Sequence, residues 1–139
     1  MPTQTRIDFA TLKRPGTPNT YLLAPEGFCR GAKTDGAAPV FDIPAAKLRT
    51  EFLSVVIASQ RVSHTLADEG GLYDDFVVRS AVLGFPDLVS VKFLDAGKGQ
   101  STLALYARAV YGRWDMGVNR TRTQAWLKRL GVPVKSVKP

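Results

Sequence analysis

Apolar residues recur at helical spacing early in the chain. Leu48, Phe52, Val55, Val56 and Ser59 fall on one side, with Lys47, Glu51 and Ser54 on the other. Asp42 stands where an N-cap belongs, and Pro44 sits in the first turn, where its missing N–H costs nothing. The pattern predicts an amphipathic helix over about residues 43–60. Four stretches with strand character follow, at residues 62–67, 73–80, 88–95 and 101–110. In the third, Val89, Val91 and Phe93 alternate with Ser90 and Lys92. The links between them are short and rich in Gly (Gly70-Gly71, Gly84 with Pro86, Gly97 and Gly99), which favours antiparallel hairpins. A last helix is expected over about residues 119–130, with Asn119 as N-cap, and with Trp126 and Leu130 on one face. Gly131 stands at a left-handed C-terminal cap, and Pro133 prevents continuation.

Before the first helix, residues 21–24 form a short apolar run fit for an edge strand, and residues 25–39 read as a Gly/Pro-rich loop. Residues 1–20, with Pro2, Pro15, Gly16 and Pro18, read as an extended arm, and residues 132–139 as a basic tail. The order predicts an α+β fold: a mainly antiparallel sheet of about 4–6 strands with both helices packed on one face. Nothing divides the chain, so its 139 residues are expected to form a single domain.

Composition adds limits. An apolar fraction of 45% and a charged fraction of 22% suit a globular chain. Cys29 is the sole cysteine, so no internal disulfide forms, which fits a reducing compartment. The longest nearly apolar run, residues 52–58, is far short of the roughly 20 residues a spanning helix needs. The polar N-terminus lacks the core of a signal peptide. A cytoplasmic protein without a membrane span is the expectation. Net charge is +7, and its placement is uneven: residues 98–139 hold nine Lys/Arg and one acid, whereas residues 1–97 hold ten bases and eleven acids. The basic end is either an anion-facing surface or a solvated helix face with a loose tail.

Motifs for metal, nucleotide and cofactor chemistry are missing: no HExxH, CxxC, P-loop or GxGxxG occurs, and no cofactor is expected. A lone His64, predicted on the apolar side of a strand, reads as a core or edge residue. Cys29, beside Arg30 and Lys33, reads as a small packed side chain. Asp68, Glu69, Asp74 and Asp75 flank one turn, where they would hold a hard cation or simply solvate the hairpin. No catalytic residue and no metal ligand is assigned. Arg108 lies inside a predicted strand between Ala107 and Ala109, and a guanidinium in so apolar a setting needs a partner or a ligand. Asp115 is the only acid between residues 103 and 130, which makes it the expected partner. Arg113, Arg120 and Arg122 gather around the start of the last helix, where free N–H groups and the helix dipole also attract anions. Tyr106, Tyr111 and Trp114 interleave with them, but no nucleic-acid-binding pattern accompanies them, so a nucleic-acid partner is disfavoured.

The segment YARAVYGRWDMGVNRTRTQAWLKRL resembles the signature of the domain of unknown function 1499 family, uncharacterised bacterial and plastid proteins. Its motif has the form Ser-Arg-Ser-x-x-Gly-x-x-Asp-x-Gly-x-Asn-x-x-Arg. Arg108, Gly112, Asp115, Gly117, Asn119 and Arg122 match it, while alanines at 107 and 109 replace both serines. Phe85-Pro86-Asp87 and Pro18-Asn19 resemble two further family signatures. The resemblance implies a fold and a shared site without a reaction. Arg108, Arg113, Arg120 and Arg122 are the candidate ligand-binding residues, with Asp115, Gly117 and Asn119 as the structural part of the motif. Two readings stand: a module that binds a small anionic ligand, or a structural or protein-interaction domain that meets a partner or a second copy of itself. An enzyme would have to rely on Asp115 or Asp87 as its acid or base.

Overall fold

The computed structural model describes residues 6–16, 19–112 and 117–134. Its strands are β1 (Thr20–Ala24), β2 (Gly36–Ala37), β3 (Val62–Asp68), β4 (Tyr73–Arg79), β5 (Pro86–Gly97) and β6 (Gln100–Ala109). Its helices are α1 (Ala45–Ile57) and α2 (Val118–Arg129). The strands form one sheet in the order β2-β1-β6-β5-β4-β3. All neighbours are antiparallel except the β1–β2 pair at one edge. The chain is therefore α+β, with β1 one place in from the edge because two residues of the Gly/Pro-rich loop pair beyond it.

Alternation decides what each face buries. Val89, Val91 and Phe93 of β5, Leu103 and Leu105 of β6, and Phe76 of β4 point toward the helices, where Leu48, Phe52 and Val56 of α1 meet them. Phe52 is the hub, its ring edge-on to Phe93 at 5.6 Å and to Trp126 of α2 at 6.0 Å. Truncating such a side chain costs about 3–5 kcal/mol.

The opposite face is not left to solvent. The N-terminal arm lies across it, with Ile7, Phe9 and Leu12 packed with Leu22, Tyr73, Ala104 and Tyr106. The Ile7 amide donates to the Tyr73 hydroxyl at 2.8 Å, and the Arg6 guanidinium stacks 4.2 Å from the centre of the Tyr73 ring. Gly31 lets the arm pass: a Cβ there would meet the Leu12 carbonyl oxygen at 2.8 Å, inside van der Waals contact. Residues 25–39 are correspondingly tied down, with the Arg30 amide donating to the Ala10 carbonyl (3.1 Å) and Arg14 paired with Asp35 (2.8 Å).

Both helix starts differ from the sequence expectation. α1 is capped by Pro44 with extended backbone, while the Asp42 carboxylate accepts from Gln100 Nε2 at 2.8 Å, reaching toward the β5–β6 hairpin. α2 is capped by Gly117 at φ 77°, a left-handed conformation that costs a side-chain-bearing residue about 1–2 kcal/mol. Asn119 therefore falls inside the first turn. At the far end Gly131 is left-handed (φ 64°), as the sequence predicts. Beyond it Val132 packs against the core, and Val134, itself exposed, forms an antiparallel bridge with Phe41. Among the described residues no helix is long and apolar enough to cross a membrane.

Candidate functional site

Three stretches distant in sequence meet at the start of α2. Arg122 donates from Nη2 to Asp87 Oδ2 at 2.8 Å and from Nη1 to Asn119 Oδ1 at 2.7 Å. Asn119 is wholly buried, and its Nδ2 reaches the Asn19 carbonyl at 3.5 Å. Asn19 in turn donates to the Gly112 carbonyl at 2.9 Å. β1, β5, the loop after β6 and α2 are thus held by one hydrogen-bonded network. A buried amide tolerates this position only because its polar atoms are satisfied.

Arg108 belongs to the other face. It follows Tyr106 by two residues on β6, so it points to the arm side, away from α2. Its Nη1 donates to Ser90 Oγ (3.1 Å) and to the Tyr106 carbonyl (3.1 Å), and the guanidinium lies 5.0 Å from the centre of the Tyr106 ring. Ser90 Oγ then donates to buried Asp75 at 2.6 Å, so the nearest acid is reached through a hydroxyl. Burial pushes the Arg108 pKa down and the Tyr106 phenol up. Arg113, Trp114 and Asp115, the expected partner of Arg108, lie outside the described residues. Arg120 is exposed, 5.8 Å from the centre of the Tyr21 ring on the helix side. The described members of the expected cluster therefore divide between two faces: Arg120 and Arg122 with the helices, Arg108 with the arm.

A different set of arginines converges. Where the end of α1, the start of β3, the end of β4 and α2 meet, a cleft of about 730 Å³ is lined by Arg61, Arg79, Arg122 and Arg129, with no Asp or Glu among the described lining residues. Val78 and Trp126 contribute an apolar wall, and Trp126 Nε1 is satisfied by Ser59 Oγ at 3.0 Å. Arg122 is neutralised by Asp87, but Arg61 and Arg129 have no ion-pair partner among the described residues. Arg61 also holds a left-handed backbone, φ 60°, rare for a residue with a side chain. Its Nε donates to the Arg79 carbonyl at 3.2 Å, and the Arg79 amide donates back to the Arg61 carbonyl at 3.0 Å. Sequence reasoning found Arg122 here and missed Arg61, Arg79 and Arg129, which carry no local signal beyond charge. Guanidinium groups around an apolar wall can hold an anion that has an apolar or aromatic body.

Several other titratable groups are engaged within the fold. Asp74 is fully buried and accepts two parallel bonds from Arg49, each 2.8 Å, and a contact with His64 Nε2 at 2.9 Å. Donating to the Asp74 carboxylate raises the Arg49 pKa. His64 stacks on Phe76, ring centres 4.7 Å apart. Asp75, one residue on, points to the arm face, and Asp68 pairs with Arg6 at 2.8 Å. Asp74 and Asp75 are thus buried and bonded where the sequence suggested solvated turn acids or a cation site. Cys29 is buried and its thiol pKa is pushed up by burial, the opposite of activation.

The family model described as Protein of unknown function (DUF1499) matches residues 14–130. No curated protein matches the chain.

Proposed function

The chain belongs to the DUF1499 family of proteins of unknown function, and from that premise we propose that it is a binding module for a small anion with an apolar or aromatic body, held in the cleft beside α2. One observation carries the reading: among the described residues, four arginines and no carboxylate line a cleft of about 730 Å³, walled by Trp126 and Val78. Arg61 and Arg129 supply the uncompensated charge. Arg122 links the cleft to the family motif through Asn119 and Asp87. Left-handed strain at Arg61 supports the same reading, because strained side-chain-bearing residues persist where the surroundings hold them and cluster at ligand sites.

Arg61→Gly separates binding from folding. Glycine relieves about 1 kcal/mol of left-handed strain and returns a backbone entropy cost of similar size. The unliganded melting temperature should therefore move by no more than a few degrees. The probes are inorganic phosphate, nucleoside monophosphates and aryl or acyl carboxylates in a thermal-shift assay. A ligand that binds only the folded state raises the melting temperature by mass action. The expected result is a rise for the native chain that Arg61→Gly with Arg129→Gln removes. Equal shifts in the native and doubly substituted chains would sink the proposal, as would no shift with any probe.

A second reading, a structural domain that meets a protein partner or a second copy, draws on the Asn119–Arg122–Asp87 network. In that network Asn119 and Arg122 join α2 to β5, a structural use of the motif. On this reading no probe shifts the melting temperature.

A further inference from the structure

The link between β4 and β5 is unlike the other turns, because its tip is aliphatic. Val82 is 91% exposed and Leu83 67% exposed, the two highest values among the exposed large apolar side chains. Of the eight such side chains among the described residues, five gather at this end of the sheet: Val82, Leu83, Phe85, Tyr111 and Val118. The Phe85 and Tyr111 rings lie 5.4 Å apart, and Val118 shares the cleft lining with Ala81.

The turn is braced in this shape. The Gly84 amide donates to the Ser80 carbonyl (3.2 Å), the Ser80 amide to the Phe85 carbonyl (3.0 Å), and the Phe85 amide to Ser80 Oγ (3.0 Å). Arg79 Nη1 donates to the Gly84 carbonyl at 2.8 Å. These bonds hold Val82 and Leu83 outward instead of letting them fold into the cleft, whose own wall is apolar. Ser80 and Ala81 of the turn line the same cleft as the arginines, with no carboxylate among the described lining residues.

An outward aliphatic tip, an aromatic pair at its base and a cationic cleft behind it form one surface. We infer that this end of the molecule docks on an anionic phospholipid bilayer. Val82 and Leu83 enter the acyl boundary, Phe85 and Tyr111 sit at the headgroup level, and Arg61 and Arg129 face lipid phosphates. Exposed apolar patches of this kind mark interaction sites. The charge beside this one selects a bilayer: apolar insertion and attraction to anionic headgroups add, and each alone is weak. The inference stands on the tip and its flanking charge, whether or not a soluble anion enters the cleft.

The test is co-sedimentation of the full chain with vesicles of phosphatidylcholine alone and of phosphatidylcholine mixed with phosphatidylglycerol. The chain is expected to bind the mixed vesicles, to bind the neutral ones weakly or not at all, and to be released by added salt. Val82→Ser with Leu83→Ser should weaken binding about tenfold or more, with an unchanged melting temperature because both side chains are already exposed. The pair leaves every cleft arginine in place. Lost vesicle binding with a retained soluble-anion shift therefore tells the two proposals apart. Leu83→Trp provides a gain-of-signal check: its fluorescence should be quenched by brominated acyl chains. No sedimentation with mixed vesicles, equal binding to neutral ones, or a serine variant that binds like the native chain would overturn the inference. So would self-association that the serine variant abolishes in the absence of any vesicle binding, which would assign the tip to a second copy of the chain.

Discussion

At the residue scale, neighbours in sequence meet opposite fates. Asp74 and Asp75 both read as turn acids, yet strand alternation sends Asp74 to the helix face, against Arg49 and His64, and Asp75 to the arm face, against Ser90. Arg49, 25 residues away on α1, is the partner that makes Asp74 tolerable as a buried charge. Asp74→Ala strands that guanidinium in a dry setting and should cost about 3–5 kcal/mol in urea denaturation. Asp74→Ala with Arg49→Met should recover a large part of the loss. A single substitution that leaves the urea midpoint unchanged would refute the pairing. The pair was illegible in the sequence because Arg49 directly follows Leu48 on a helix whose apolar spacing is already complete without it, and charge alone names no partner. Arg108 was legible as a guanidinium in apolar surroundings, but the serine that relays it to Asp75 was not.

At the element scale the arm is the part whose order depends on a few contacts. Asp68 is held below the usual carboxylate range first by the Gly71 amide, then by Arg6. The Gly71 part of that depression belongs to the turn itself; the Arg6 part stabilises the docked arm above the ordinary carboxylate pKa, and is lost as pH falls through the folded value. Protection of the Ile7 amide against hydrogen exchange, corrected for intrinsic rate, should therefore drop below the ordinary carboxylate range. In Asp68→Asn it should already be low at neutral pH, with little further dependence. A native profile flat with pH would remove Asp68 from arm docking. Alternation and helical spacing were enough to place β3 to β6 and both helices to within a few residues, because periodicity reports burial directly. The arm has no sustained period: Ile7, Phe9 and Leu12 stand among polar residues, and their partners on the sheet become visible only once the strands are assembled. The caps failed for a related reason. Asp42 and Asn119 are good local caps, but the Asp42 carboxylate is taken up by Gln100, and the Asn119 side chain by Arg122 one turn on and the Asn19 carbonyl across the fold.

At the scale of the whole molecule, the charge asymmetry read from sequence becomes a surface. Arg122 and Arg129, from the basic last third, meet Arg61 and Arg79 across the cleft. Anion affinity there should weaken several-fold between about 0.05 and 0.5 M salt, as the screening length shrinks below the spacing of exposed charges. Isothermal titration across that range decides the matter, and a flat profile would assign the affinity to the apolar wall. The charge count was fixed by composition, but its convergence with two arginines from the acidic two-thirds depended on sheet order, which no local pattern encodes. That order also has a consequence for biosynthesis. β1 pairs with β6, Tyr21 opposite Ala107 and Leu23 opposite Leu105. On the ribosome, β3, β4 and β5 can close as a meander while they emerge, each beside its predecessor. The first strand and the arm before it must wait for residues near 105–107 to leave the exit tunnel. Until then Leu22 and Leu23 stay uncovered, and β1 finds its place only after β3, β4 and β5 have theirs.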